Sequence, residues 1–173
     1  IPDFCVDEVA DHTIALILCL TRQIEQLHQQ CRDGNWFARD RVPRMNCLRE
    51  MTVGLVGFGR IGMAVVARLH GFKCRIIAHD PVVDDSLINQ HGCNAVPLDQ
   101  LLQESDNVSL HCPSTPQNQH MINKDTLSRM KEGVLFINVS RGSLVQTEDL
   151  IHALQQGHVL SLIHISEPTR PRL

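Results

Sequence analysis

The sequence lacks the signatures of several protein classes. No basic cluster stands out in a chain of formal net charge −3, which argues against nucleic acid as the main partner. No apolar run approaches the length of a membrane span, since residues 13–20 are far too short. The first residues show no secretory leader and no initiator methionine, so we expect a true N-terminus upstream of Ile1. We predict a cytoplasmic protein that does not bind membranes.

Paired metal or disulfide motifs are also missing. The ten histidines include no H-x-x-x-H pair, and His111 and His120 are too far apart for a local ligand pair, so no metal site is predicted. The cysteines include no C-x-x-C pair, and their odd number and irregular spacing predict free thiols in a reducing compartment. They are Cys5, Cys19, Cys31, Cys47, Cys74, Cys93 and Cys112.

A glycine motif between a strand pattern and a helix pattern is the most informative feature present. Residues 52–56 form a β-branched, apolar run, and residues 61–69 follow with the pattern of a helix buried on one face. Between them, Gly57 permits a tight turn, Gly59 lets the backbone approach a pyrophosphate, and Gly62 lets the helix pack closely on the strand. The motif predicts a dinucleotide site, with glycines that merely connect a strand to a helix as the alternative.

An acidic residue follows the next predicted strand, residues 74–78. Asp80 lies 18 residues after Gly62, where a carboxylate can accept hydrogen bonds from the adenosine ribose hydroxyls. The same carboxylate would repel a 2′-phosphate, which favours NAD over NADP. The alternative is an aspartate that only caps a loop.

Strand and helix patterns alternate along the rest of the chain. A long amphipathic helix is predicted over residues 6–30, and its apolar stripe must be buried against something. Further helices are predicted at 86–91, 98–104, 123–130 and 147–156, further strands at 107–111 and 134–139, and a loop at 38–46. This order predicts an α/β, Rossmann-like, doubly wound parallel sheet with flanking helices.

An arginine follows the last predicted strand, in residues 138–145 (NVSRGSLV). Ligands of open parallel sheets bind beyond the carboxyl ends of the strands. Arg141 could therefore meet a substrate carboxylate with a bidentate guanidinium. A structural salt bridge is the alternative role for this side chain.

Four segments together resemble the NAD-binding domain of the D-isomer-specific 2-hydroxyacid dehydrogenases. They are residues 9–13 (VADHT), 57–62 with Asp80-Pro81, 110–115 (LHCPST) and 138–145. That family includes phosphoglycerate dehydrogenases, hydroxypyruvate and glyoxylate reductases, formate dehydrogenase and the C-terminal-binding corepressors. The resemblance covers about residues 1–159, with a long helix leading in over 1–34 and a Rossmann core over 52–159.

The resemblance implies roles for individual residues. Arg141 would orient the substrate's carboxylate and polarise its 2-oxo group as the catalytic residue. The acid–base pair of the family, a histidine and a glutamate, lies beyond the matching segment, as does the substrate domain. Residues implied to bind NAD are Gly57, Gly59, Arg60, Ile61, Gly62, Asp80, His111, Cys112, Pro113, Asn118, Val139 and Ser140.

The last residues depart from the family. Where it continues with a small-residue strand, residues 160–170 resemble the translation of a sequencing-library adapter. We therefore predict that residues 160–173 are a non-native tail, and that His164 and Glu167 are not the acid–base pair. The alternative is a genuine divergent strand over residues 160–165.

Three functional hypotheses remain open at this stage. The first is a fragment, itself inactive, of an NAD-dependent oxidoreductase acting on small 2-hydroxy or 2-oxo acids. The second is an NAD-sensing scaffold similar to the corepressors, and the third is a catalytically dead remnant. In each case the resemblance implies a homodimer formed through this domain.

Overall fold

The computed structural model describes residues 5–35 and 45–164 of the chain. Its strands form one parallel six-stranded sheet in the order β3-β2-β1-β4-β5-β6. The strands are β1 (Thr52–Val56), β2 (Arg75–His79), β3 (Asn94–Ala95), β4 (Asn107–Leu110), β5 (Val134–Asn138) and β6 (Val159–His164). The predicted α/β, Rossmann-like class is therefore confirmed.

Helices cover both faces of the sheet. They are α1 (Val6–Thr21), α2 (Ile24–Arg32), α3 (Arg60–Leu69), α4 (Asp85–Gln90), α5 (Leu98–Glu104), α6 (Lys124–Ser128) and α7 (Thr147–Gln155). One core lies under α1, α3 and α4, and the other lies under α5, α6 and α7. Every residue of β1, β4 and β5 is buried; β1 and β5 are mainly apolar runs, whereas β4 alternates polar and apolar residues.

The strand order places a crevice between β1 and β4. After β1, the chain adds β2 and β3 on one side and then returns to add β4, β5 and β6 on the other. The loops that leave β1 and β4 therefore diverge at the carboxyl edge of the sheet, where open α/β sheets bind their ligands.

The single helix predicted over residues 6–30 is wrong, because the structure divides it into α1 and α2. Gln23 adopts a left-handed conformation, with φ of 51°, between the two helices. The apolar spacing continues across the break through Leu20, Ile24 and Leu27, so sequence periodicity does not reveal it. Packing distinguishes the two helices, because α1 buries residues against α3 and β5, whereas α2 has no buried residue.

The apolar stripe of the leading helix also finds its partner within the chain. Ala10 and Ile17 of α1 are fully buried, and Leu16 is 8% exposed. The stripe of α1 therefore gives no reason of its own to expect a second subunit. Ile24 at the start of α2 stays 52% exposed.

Most other element boundaries agree with the predictions within a few residues. The helix at Leu98–Glu104 matches, β2 is shifted by one residue, and α6 is shorter than the predicted 123–130. The two-residue β3 was not predicted, since it has no apolar run of its own. Gly54 was also missed: a Cβ there would overlap Ser105 Oγ and lie 2.8 Å from Leu101 Cδ2, so glycine lets α5 approach β1.

Two of the predicted segments lie partly outside the described residues. Part of the predicted loop 38–46 falls on residues 36–44, outside the described residues. At the other end β6 pairs in parallel with β5, while residues 165–173 lie outside the described part. A paired strand is compatible with either origin of residues 160–173, so the non-native tail stays a prediction. No helix within residues 5–35 and 45–164 is long and apolar enough to cross a membrane.

Candidate functional site

The glycine turn after β1 has the conformation that its sequence predicts. Gly57 has φ of 103°, which side chains rarely allow, and its N–H donates to the carbonyl oxygen of His79 at 2.8 Å. A Cβ at Gly57 would lie 2.5 Å from the backbone nitrogen of Cys112. The turn therefore requires glycine both for its backbone angle and for the close approach of the segment after β4.

The other two glycines of the motif differ in their surroundings. A Cβ at Gly62 would lie 2.5 Å from the carbonyl oxygen of Gly57, so glycine lets α3 pack against the turn. A Cβ at Gly59 would meet no atom within 4 Å. Gly59 thus borders open space directly before α3, at the end of the helix where the backbone N–H groups point outwards. Open space beside these donors and the positive end of a helix dipole fits a pyrophosphate.

Asp80 is held beside the glycine turn. The N–H of Phe58 donates to its Oδ2 at 2.7 Å, and the N–H groups of Val82 and Val83 donate to its Oδ1 at 2.9 and 3.2 Å. The aspartate is half-buried. A carboxylate has about four lone-pair positions, so capacity remains for a hydroxyl donor such as a ribose. Asp80 does shape a loop, and the same contacts orient it towards the turn.

A cleft of about 480 Å³ opens at the carboxyl edge between the segments that follow β4 and β5. It brings together seven of the predicted residues, namely Ile61, His111, Cys112, Pro113, Val139, Ser140 and Arg141. Ser114 and Ser143 also line it and were missed. Their hydroxyl oxygens lie 2.7 Å apart and join the two segments, a contact that two serines distant in sequence do not signal.

Asn118 does not line this cleft but shapes the loop that does. Its Oδ1 accepts from the N–H of Thr115 at 2.8 Å, and its Nδ2 donates to the carbonyl oxygen of Pro113 at 2.8 Å. The side chain thus closes a turn after Cys112. Gly57, Gly59, Arg60, Gly62 and Asp80 lie at the glycine turn rather than in the lining of the cleft.

Arg141 carries an exposed guanidinium at the wall of the cleft. Its Nη1 donates to the carbonyl oxygen of Ser140 at 3.1 Å, and no described carboxylate lies within ion-pair distance. By contrast, Arg68, Arg75 and Arg129 are each paired with a carboxylate. The described residues therefore give Arg141 no structural salt bridge, and its charge remains available to an anionic ligand.

The polar face of β4 ends at the cleft in His111. Asn107, Ser109 and His111 alternate along the strand, and each has a buried polar atom without a hydrogen-bond partner among the described residues. Although part of His111 is exposed, both ring nitrogens are buried, and burial lowers the pKa of His111 to about 4. The imidazole is therefore neutral near pH 7.

The neighbouring thiol is also held in its neutral form. Burial raises the pKa of Cys112, and the negative charge of Asp80 raises it further. Its Sγ lies 4.0 Å from Met121 Sδ. Cys112 is therefore a packing residue of the cleft rather than a nucleophile. No group of three or more metal-ligating side chains occurs within the described ranges.

Comparison with known proteins identifies the family to which this fold belongs. The model of the family described as D-isomer specific 2-hydroxyacid dehydrogenase, NAD binding domain, matches residues 14–163. The chain belongs to this family. Residues 14–163 are accordingly its NAD-binding domain, and the resemblance predicted from four short segments is confirmed.

Relatives and solved structures of the family extend well beyond this chain. A 2-hydroxyacid dehydrogenase homolog of Haemophilus influenzae is 38% identical over 162 residues, which are 94% of this chain and 48% of the relative. The D-lactate dehydrogenase of Escherichia coli is 36% identical, with the same two coverages. The structure of the D-lactate dehydrogenase from Aquifex aeolicus, complexed with NAD and lactic acid, has a TM-score of 0.88 at 36% identity, covering 94% of this chain and 48% of that one. The chain thus spans about half the length of these relatives.

The burial of His111 predicts a pH dependence of stability. Between pH 6.5, the ordinary pKa, and about 4, the unfolded chain binds a proton that the native state rejects. The unfolding free energy should therefore fall as pH is lowered through this range, by about 2–3 kcal/mol from this residue. Urea unfolding of the wild type and His111→Gln at several pH values measures the difference.

The exposed His120 provides the control for this experiment. His120→Gln removes an exposed histidine instead of the buried one. A His111→Gln variant that loses stability with acid as steeply as the wild type would contradict the buried, neutral imidazole.

Proposed function

We propose that this chain is the NAD-binding part of a dehydrogenase that interconverts small D-2-hydroxy acids and 2-oxo acids. The observation that carries the proposal is the cleft at the carboxyl edge. There Arg141, which has no carboxylate partner among the described residues, lies in one wall, and the glycine turn supplies open space beside Gly59 and the carboxylate of Asp80. The relative from Aquifex aeolicus, with NAD and lactic acid, supports the same pair of ligands.

The proposed binding of NAD begins at the glycine turn. The N–H groups of Arg60 and Ile61, in the first turn of α3, would bind the pyrophosphate beside Gly59. Asp80 would accept hydrogen bonds from the adenosine ribose, and its charge would disfavour a 2′-phosphate. His111, Cys112, Pro113, Val139 and Ser140 would contact the nicotinamide half, with Asn118 holding the loop of Pro113 in shape.

The proposed chemistry divides between this domain and residues outside it. When bound, NAD would supply the group that exchanges a hydride with the reacting carbon of the substrate. Arg141 would bind the substrate's carboxylate and polarise its 2-oxo group through a planar guanidinium. The proton would move through a histidine and glutamate that are not among residues 14–163, in a protein that also carries a substrate domain.

The alternatives are less well supported by these observations. The relatives described above are dehydrogenases or their homologs, which favours the enzyme over an NAD-sensing scaffold. A homodimer formed through this domain remains part of the proposal. Since the apolar stripe of α1 is buried within the chain, the surface of α2 around Ile24 is the better candidate for that contact.

Substitution of Gly59 tests cofactor binding separately from folding. Because a Cβ meets nothing there, Gly59→Ala should keep its unfolding free energy within about 1 kcal/mol of the wild type. The methyl group would occupy the space beside the pyrophosphate, so NAD affinity should fall about tenfold or more. Isothermal titration and urea unfolding measure the two quantities.

Gly62→Ala is the matched variant, since its Cβ would lie 2.5 Å from the carbonyl oxygen of Gly57. It should lose about 1–3 kcal/mol of stability as well as affinity. A Gly59→Ala domain that binds NAD as tightly as the wild type would contradict the proposed pyrophosphate site.

Replacement of Arg141 tests the substrate role in a protein that joins this domain to a substrate domain. Arg141→Lys keeps the charge but not the bidentate geometry, so kcat/KM for a 2-oxo acid such as pyruvate should fall about 10- to 100-fold. The affinity for NADH should change little. Arg129→Lys, which alters an arginine paired with Asp99 and Asp125, is the control and should keep full activity. Unchanged turnover of Arg141→Lys would refute the role.

A further inference from the structure

The side chain of Asn138 bridges the segment that forms one wall of the cleft. Asn138 is the last residue of β5 and is fully buried. Its Oδ1 accepts from the N–H of Ser140 at 2.9 Å, and its Nδ2 donates to the carbonyl oxygen of Arg141 at 3.0 Å. Both the oxygen and the nitrogen of the amide thus form hydrogen bonds with the backbone of the next few residues. These two contacts are called the Asn138 bridge below.

The bridged segment is also fixed to the rest of the fold at two points. Ser140 Oγ donates to the carbonyl oxygen of Leu110 at the end of β4, at 3.1 Å. The carbonyl oxygen of Arg141 accepts a second hydrogen bond from the N–H of Leu144, at 3.2 Å. The backbone from β5 to Leu144 therefore has a defined path along the cleft.

The Asn138 bridge requires an amide. The acceptor end serves a backbone N–H and the donor end serves a carbonyl, so aspartate could make the first contact but not the second. A carboxylate would also be buried against a carbonyl oxygen, which is costly. An apolar residue of similar size would leave both backbone groups without these partners.

The position of Arg141 depends on its backbone more than on its side chain. No described carboxylate holds the guanidinium, which donates a hydrogen bond to the carbonyl oxygen of the preceding residue, Ser140. A long side chain that no described carboxylate holds is positioned mainly by its own backbone. The same backbone also sets the positions of Val139 and Ser140 in the cleft.

We infer that Asn138 is a positioning residue: its amide fixes the wall of the cleft that receives the nicotinamide half of the cofactor and the carboxylate of the substrate. This inference rests on the proposed function. Asn138 contacts neither ligand itself, and acts through Val139, Ser140 and Arg141. The bridge organises this wall before any ligand arrives, which lowers the ordering cost of binding.

The experiment compares two ligands that share the adenosine and pyrophosphate groups. NADH carries the nicotinamide ring and ADP-ribose lacks it, so the ratio of their affinities reports on the contacts to that ring, including those of the bridged wall. In Asn138→Ala the preference for NADH over ADP-ribose should shrink about tenfold, with the affinity for ADP-ribose nearly unchanged. Isothermal titration of the full 173-residue chain measures both constants.

Asn107 supplies a matched control on the neighbouring strand. It is also a fully buried asparagine, but it lies at the amino end of β4, away from the cleft. Its Nδ2 lies 3.8 Å from Met51 Sδ. Asn107→Ala should keep the ligand preference of the wild type even if its melting temperature falls. If the alanine variant does not fold, Asn138→Asp replaces it, because aspartate retains the contact to Ser140. Its preference for NADH over ADP-ribose should also be smaller than that of the wild type.

The outcomes separate this inference from the function on which it rests. A wild type that binds neither ligand would overturn both. A wild type that binds both equally would keep cofactor binding but overturn the inference, since the wall would contribute nothing. Variants of Asn138 that lose both affinities in parallel would also overturn it, because a merely structural residue behaves in that way. A selective loss for NADH in Asn138 variants, absent in Asn107→Ala, would establish it.

Discussion

Gly57 joins three parts of the fold whose relative positions define the cleft. Its N–H donates a hydrogen bond to the carbonyl oxygen of His79 at the end of β2. Its Cα faces the backbone of Cys112 after β4, and its carbonyl oxygen lies against Gly62 of α3. Any side chain at this position would force these parts to separate. The positions of Asp80, of the loop after β4 and of the positive end of α3 all follow from this close backbone contact.

The titratable side chains of the cleft suit the proposed binding and orientation of ligands better than proton transfer. The titratable side chains among its described lining residues are His111, Cys112 and Arg141. Burial keeps the imidazole neutral and the thiol protonated at neutral pH, and an arginine does not release its proton. A general acid–base of this chemistry needs a pKa near the working pH. The proposed division of the chemistry between this domain and residues outside it agrees with a chain that spans about half the length of its relatives.

Local sequence predicted those features that depend on local chemistry. The buried strands, the glycine turn and Asp80 were predictable because each follows from chain conformation within a few residues. The break at Gln23 was not, since it depends on α1 having a packing surface that α2 lacks. Likewise, the need for glycine at Gly54 arises from the close approach of α5, and the burial of both ring nitrogens of His111 depends on tertiary packing.

The Asn138 bridge shows a second limit of sequence reasoning. Asn138 belongs to the motif that indicated Arg141, yet the pattern assigned chemistry only to the charged residue. An asparagine at the end of a strand has several possible hydrogen-bond partners, and only the path of the following backbone selects among them.

Titration of the wild-type chain with NAD and with NADP is the most direct test of the central claim. With Asp80 held at the glycine turn, we expect one saturable site for NAD and an affinity for NADP lower by about tenfold or more. NAD should also raise the melting temperature, because a ligand that binds only the native state stabilises it. A chain that binds neither dinucleotide, or binds NADP as tightly as NAD, would contradict the assignment of the cleft and of Asp80.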